Sequence, residues 1–323
     1  MLTNPPRYVI SEDDDIPSIN CNYFSLSDAK DKLMDYGKQS FSLLTCNIRS
    51  CRKNMPSLTS FLSLLMFKFS LIILVETWLT KDIDHALNID GYKQINLYRS
   101  SHGGGIKILY DSSFQVETVQ DLTFVNNLIE IITFYVFDGF FKYLICAIYR
   151  PPSASIRDFN DLLFNNILDK FPNNIKVIIT GDFNINLYNP YKTKTISDFI
   201  SGCLGFNFYP VINLPSIFHE NNITTKFSLI DQIWCNDGSG THHQSGIIEY
   251  PISDHLPMFY VFRNFSKSHF NKKLRVFSVA NKNRFINSFN NLNFDFVYNS
   301  DDVNLAFNHF YEKCLNCMTS VFQ

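Results

Sequence analysis

The sequence predicts an α/β layered sandwich built on mixed sheets, and three features of the chain predict it. Apolar strand-like runs alternate with amphipathic helical spacings through residues 41–205. The part that follows is mostly strand and loop, and several strands are joined by turns too short for parallel crossovers. A purely parallel sheet is thereby disfavoured, and no internal repeat of fixed period runs through the chain.

The 323-residue chain is long enough for one large domain or two ordinary ones, and a 46% hydrophobic share with 32 phenylalanines supplies a sizeable core. That composition excludes a disordered chain. A net charge of −2 and a pI of about 6.4 exert no bulk pull on nucleic acid or anionic membrane, so any polyanion must be held by a local patch. Eight scattered cysteines, several inside apolar runs, read as reduced, buried thiols of an intracellular protein. Cys314 and Cys317 are the one close pair; with His309 they make only three ligands, and a shared helix face explains them better than zinc. The N-terminus, MLTNPPRYVISEDDD, lacks the apolar core of a signal peptide. The most apolar run, Phe61 to Val75, is interrupted by Lys68 and serines and falls short of the ~20 residues a bilayer requires. A soluble protein with no membrane partner is expected.

Residues 1–40 are polar, with the acidic run Glu12 to Asp15 and prolines at 5, 6 and 17, and read as a loosely packed leader. Residues 41–263 form the main domain. Phe41–Asn47 is its first core strand, and Pro56 opens a helix with Leu58, Phe61, Leu62, Leu65 and Phe69 on one face. Leu71–Glu76 is a fully buried strand whose terminal carboxylate is expensive unless paired, protonated or bound to metal. His102-Gly103-Gly104-Gly105 precedes the strand Ile106–Tyr110 with no helix after it, so a hairpin turn or sheet edge is expected rather than a P-loop. Phe114–Val119, Ile129–Phe137 and Lys142–Ile148 are further strands. The last ends in Tyr149-Arg150-Pro151-Pro152, where the prolines hold a phenol and a guanidinium able to meet a phosphate.

Phe159, Leu162, Leu163 and Ile167 share one helix face, and Ile196, Phe199, Ile200, Cys203 and Leu204 another. Ser228–Trp234 reads as a strand with Asp231 in its middle, and Asp254-His255 stands ahead of the strand Met258–Phe262. Together these offer an imidazole and a carboxylate to orient it. Residues 264–323 are expected to be a basic linker followed by amphipathic helices. Arg263, Lys267, Lys272, Lys273, Arg275, Lys282 and Arg284 form a run that either follows a phosphate backbone or is simply solvated. Phe285, Phe289 and Leu292, then Val303, Phe307, Phe310, Tyr311 and Cys314, supply the apolar helix faces.

The chain is organised around residues 176–187, KVIITGDFNINL, a β-branched run that stops at Gly181 and delivers Asp182 and Asn184 two positions apart. In a strand those two side chains face one way, so a carboxylate and an amide converge where a water beside a phosphate could be polarised and positioned. A strand end with an Asx turn is the plainer alternative.

Asn47 in LLTCNIRS, Glu76 in ILVETWL, Tyr149 in AIYRPP, Asp182 and Asn184 in TGDFNIN, Asp231 in SLIDQIW, and Asp254-His255 in PISDHLP resemble, in this order, the endonuclease/exonuclease/phosphatase superfamily. NIRS, ETWL, the glycine-run strand, YRPP and IDQIW are most similar to the apurinic-like endonuclease domains of non-LTR, LINE-type retrotransposons. The resemblance covers roughly residues 23–320. It implies a four-layer, DNase I-like α/β sandwich in which two packed mixed sheets are flanked by helices. It also implies a divalent cation, Mg²⁺ or Mn²⁺, at Glu76 with Asn47 and Asp254 close by. Tyr149 would contact the phosphate or the leaving oxygen, Asp182 and Asn184 would position or deprotonate the attacking water, and Asp231 would orient His255, which either stabilises the developing phosphorane charge as an imidazolium or acts as the base. The product would be a nicked DNA with a 3′-hydroxyl that primes reverse transcription, in an intracellular, nuclear setting, with the element's RNA and a reverse transcriptase as further partners. Arg49 stands where repair-type members carry an aspartate, which counts against a repair role. HENNITTKF lengthens the loop ahead of Asp231. Two other readings stay open: a phosphodiesterase or phosphatase of the same fold, and a non-catalytic remnant.

Overall fold

A computed structural model describes residues 21–37, 40–81, 88–99, 103–188, 192–220, 225–236, 243–263 and 279–321. In chain order the elements run β1 (Cys21–Phe24), α1 (Leu26–Tyr36), β2 (Ser40–Asn47), α2 (Cys51–Leu65), β3 (Leu71–Val75), β4 (Tyr92–Leu97), β5 (Ile106–Asp111), β6 (Gln115–Thr118), β7 (Phe124–Val125), β8 (Glu130–Phe137) and β9 (Lys142–Tyr149). They continue with α3 (Ile156–Leu162), β10 (Lys176–Asp182), α4 (Lys194–Gly205), β11 (Tyr209–Pro210), β12 (Ile217–Glu220), β13 (Thr225–Ser228), β14 (Asp231–Cys235), β15 (His243–Ile248), β16 (Met258–Arg263), α5 (Val279–Asn290), α6 (Asp295–Tyr298) and α7 (Val303–Val321).

Two mixed sheets form, ordered β1-β15-β16-β2-β3-β5-β4 and β11-β14-β10-β9-β8-β6, with β7 paired to β8 and β12-β13 as a separate hairpin. Strand alternation sorts the apolar residues into layers. Phe41, Leu43, Leu71, Ile73 and Val75 face the second sheet in one core, while Leu44, Cys46, Ile72 and Leu74 face Ala29 and Leu33 of α1 and Leu58, Phe61 and Leu65 of α2 in another. On the far side, Phe199 of α4 packs its ring on Phe159, Phe183 and Trp234. The result is the expected four-layer α/β sandwich.

Residues 21–36 depart from the leader expectation: β1 pairs in parallel with β15, and Ala29 and Leu33 are fully buried. Their polar neighbours hide a narrow apolar face, which a composition average over 1–40 dilutes. The α2 helix begins at Cys51, so Pro56 lies inside it rather than at its start. β4, β12 and β15 are strands that periodicity does not reveal; the burial along β4 is intermediate, the mark of an edge strand. Most of the basic run 263–284 lies outside the described residues. Arg263 itself is tied to α1, where Nη2 donates to the Asp35 carbonyl at 2.5 Å. Cys314 and Cys317 share α7, and none of the eight cysteines, all among the described residues, is in a disulfide. Among the described residues no helix is long and apolar enough to cross a membrane.

Candidate active site

The inner faces of the two sheets end together, and their last rows are polar. Thr45 of β2 and Thr180 of β10 join the sheets by a buried hydroxyl pair at 2.7 Å. Two residues further along the same faces, Asn47 Nδ2 donates to Asp182 Oδ2 at 2.9 Å. The same amide nitrogen donates to Glu76 Oε1, also at 2.9 Å, so one side chain ties two carboxylates from different sheets. Across the second sheet the row continues in strict register: Glu130 opposite Tyr149, Tyr149 opposite Asp182, Asp182 opposite Asp231. Because a strand neighbour lies about 4.8 Å away, this register alone lines four functional groups along one edge.

Asp231 begins β14 instead of lying mid-strand. Its Oδ2 accepts from Ser216 Oγ at 2.5 Å and meets His255 Nδ1 at 2.7 Å, while its Oδ1 is buried without a hydrogen bond. Asp182, Asp231 and His255 are all buried, and their potential ligand atoms lie within 4.8 Å of one another. Burial first, then the charge of Asp231, pushes the Asp182 carboxyl up to about 8, against the pull of His255 and of hydrogen bonds from Asn184 and Asn47. For His255 burial would favour the neutral ring, but Asp231 and then Asp182 outweigh it and raise the imidazole to about 9. The Tyr149 phenol is raised as well, by burial and then by Glu76, Asp182 and Glu130, which keeps it a hydroxyl.

Four expected site residues take other positions. Asn184 is left-handed (φ 49°), so it does not continue the strand alternation. Its N–H caps Asp182 Oδ1 at 2.8 Å, and its side-chain amide donates to the Arg150 carbonyl at 2.8 Å. Arg150, expected at the phosphate, turns inward. It is 2% exposed, and its guanidinium donates to the carbonyls of Phe183 (2.5 Å), Ala154 (2.5 Å) and Asn184 (2.6 Å). Asp254, expected close to the metal, pairs through its carboxylate, 39% exposed, with Arg49 at 2.6 Å. Asn47 turns its nitrogen toward the carboxylates, and its Oδ1 accepts from the Arg49 N–H at 3.1 Å.

If Arg150 is a scaffold, Arg150→Lys, which cannot serve three divergent carbonyls, is expected to cost about 3 kcal/mol of stability. The dependence of nucleic-acid binding on log salt stays unchanged, whereas loss of a phosphate contact reduces that slope by about 1. Thermal melting and a salt titration of binding separate the two.

Glu130 is the residue the sequence reading missed. It is fully buried, accepts from the Gly105 N–H at 2.6 Å and pairs with Arg99 at 3.2 Å. Burial pushes its carboxyl up, against these two partners. It also explains the glycine run, since a Cβ on Gly104 (φ 69°) would lie 2.2 Å from Glu130 Oε1. A carboxylate inside LIEIITF was the available signal, the same one that marks Glu76.

Carboxylates, a tyrosine and an imidazole are thus gathered where the two sheets of this α/β sandwich end. Residues 143–259, about a third of the chain, match the family described as endonuclease-reverse transcriptase. No curated protein matches by sequence. Among solved structures, the endonuclease domain of TRAS1, a telomere-specific non-LTR retrotransposon, matches with TM-score 0.55 at 12% identity, over 69% of this chain and 99% of that one. TDP2 from D. rerio, complexed with single-strand DNA product, matches with TM-score 0.54 at 14% identity, over 70% and 100%. AP endonuclease LMAP from Leishmania major matches with TM-score 0.53 at 13% identity, over 70% and 89%. At these identities the likeness is one of fold.

Proposed function

We propose that the chain is a divalent-cation-dependent DNA endonuclease that nicks one strand by phosphodiester hydrolysis and leaves a 3′-hydroxyl for target-primed reverse transcription. The observation that carries this reading is the single amide of Asn47 holding Glu76 and Asp182 at 2.9 Å each, within the row that ends in Asp231 and His255. A hard cation fits such a donor set. Two carboxylates share one neutral amide with no cationic side chain between them, and their oxygens suit Mg²⁺ or Mn²⁺. Glu76, half-buried, would hold the ion beside Asp182, which keeps its carboxylate for the water; when bound, the ion supplies Lewis-acid stabilisation of charge on the phosphate.

The protein's own groups divide the remaining work. Asp182, with one oxygen on the Asn184 N–H and the other on Asn47, is oriented as base toward a water in line with the scissile bond. His255, charged through its pair with Asp231, has Nε2 free of that bond and stabilises negative charge on the phosphorane. Tyr149, held as a neutral phenol, donates a hydrogen bond near the leaving oxygen. DNA is the substrate on this account, with element RNA and a reverse transcriptase as downstream partners in the nucleus.

Incubation with supercoiled plasmid is the test. Mg²⁺ should convert it to the open circle, and chelation should stop the reaction. Turnover of a panel of small phosphomonoesters and inositol phosphates exceeding DNA nicking would instead establish the phosphatase alternative. Folded protein with no product from either substrate class would establish the remnant.

A further inference from the structure

We propose that Trp78 is a nucleobase-stacking platform at the rim of this site, so that the substrate strand must present an accessible base face beside the scissile phosphate. The inference deepens the endonuclease reading and rests on it for the position of the phosphate. Trp78 is 45% exposed, whereas its neighbours Thr77 and Leu79 are buried at 2% and 3%. Single exposed aromatics are ordinary on protein surfaces. This one differs in its backbone, which sits at φ 54°, a left-handed conformation that a bulky side chain adopts only under constraint.

The constraint comes from both sides. The Trp78 N–H donates to the Gly104 carbonyl at 2.9 Å and the Thr77 N–H to the Gly105 carbonyl at 3.2 Å. On the other flank, Ser50 and Cys51 donate to the carbonyls of Glu76 and Thr77, each at 2.9 Å. Glu76 is itself left-handed at φ 53°, so the chain turns twice within three residues and aims the indole outward while keeping its base rigid. The residue facing it across the backbone pair is a glycine that must remain one, because a Cβ there would strike Glu130, so that position sets no side chain against the indole. Trp78 lies two positions along the chain from Glu76, a span of at most roughly 7 Å and about the reach of one nucleotide. A constrained, half-exposed aromatic face at that distance suits the π-face of a base and offers nothing to a small phosphoester.

The two tryptophans make the test direct, since Trp234 is fully buried and donates to Gln232 Oε1 at 2.8 Å. Intrinsic emission is followed while a single-stranded oligonucleotide, or the same strand made abasic, is added to the full chain in chelator. The expected result is quenching by the strand with bases and none by the abasic strand. Trp78→Ala should retain only the buried Trp234 emission, lose the quenching and bind the strand about 5- to 150-fold more weakly, with Trp78→Phe recovering most of the binding. Equal quenching by both strands, unchanged binding by Trp78→Ala, or quenching by phosphatidylcholine vesicles in place of the oligonucleotide would each overturn the proposal. Base-dependent quenching without cleavage under any cation sinks the endonuclease reading and keeps the stacking platform. Cleavage with no quenching does the reverse.

Discussion

On the endonuclease reading, Asp182→Asn is expected to lower plasmid nicking by about 10³-fold while leaving the protein folded, and at alkaline pH more stable than the parent. The rate loss follows from the base losing its lone charge in a place where the amide of Asn47 and the N–H of Asn184 already hold it. The stability gain follows from linkage. A carboxyl raised to about 8 from its usual 3.8 binds a proton more tightly in the folded chain than in the unfolded one. Folding stability from this group therefore falls as pH rises from about 4 through about 8, and the neutral variant escapes that fall. His255 behaves differently: its pKa is also raised, so the stability of its pair with Asp231 is fully present below about 6.5 and is lost as pH passes about 9. The parent's nicking rate should then climb toward pH 8 as Asp182 deprotonates and decline beyond pH 9 as His255 loses its proton. Melting temperatures and kcat/KM measured from pH 5 to 10 check both parts. Unaltered nicking by Asp182→Asn would remove Asp182 from the chemistry.

Gly181→Ala unfolds the sandwich at a much lower temperature and abolishes nicking even where it remains folded. Gly181 has φ 140°, and a Cβ there would sit 1.8 Å from the Ile148 carbonyl oxygen, which belongs to the backbone of the adjacent strand and cannot rotate away. Strain at such a position costs about 3 kcal/mol or more, a drop of roughly 10 °C in Tm for a domain of this size. The displacement falls between β9 and β10, where the Arg150 N–H reaches the Asp182 carbonyl at 2.9 Å and where Tyr149 and Asp182 stand in register. Separating those strands moves base and phenol apart. A melt within 2 °C of the parent would show that the pairing yields more easily than its geometry requires.

The carboxylates Glu76 and Asp182 were legible because burying charge at the tip of an apolar run has few explanations, whereas Asp231 reads as mid-strand and only the structure puts it at the start of β14. The same logic applied to LIEIITF would have flagged Glu130, but a strand interior hides how far one residue lies from a site on another strand. For Arg150 and Asp254, motif position says that a charged group is near, not which partner it meets. Three backbone carbonyls claim one, and Arg49 claims the other.

What the chain alone determined is the layered α/β class, from residue spacings that alternate between two and 3.6, and the short list of polar groups that no apolar core could keep without a purpose. What only the tertiary structure decided is who touches whom. Asn47 and Asp182 lie 135 positions apart and meet because two sheets, packed face to face, stop at the same level. Register across strands is set by long-range packing of both faces, and no local pattern of residues encodes it.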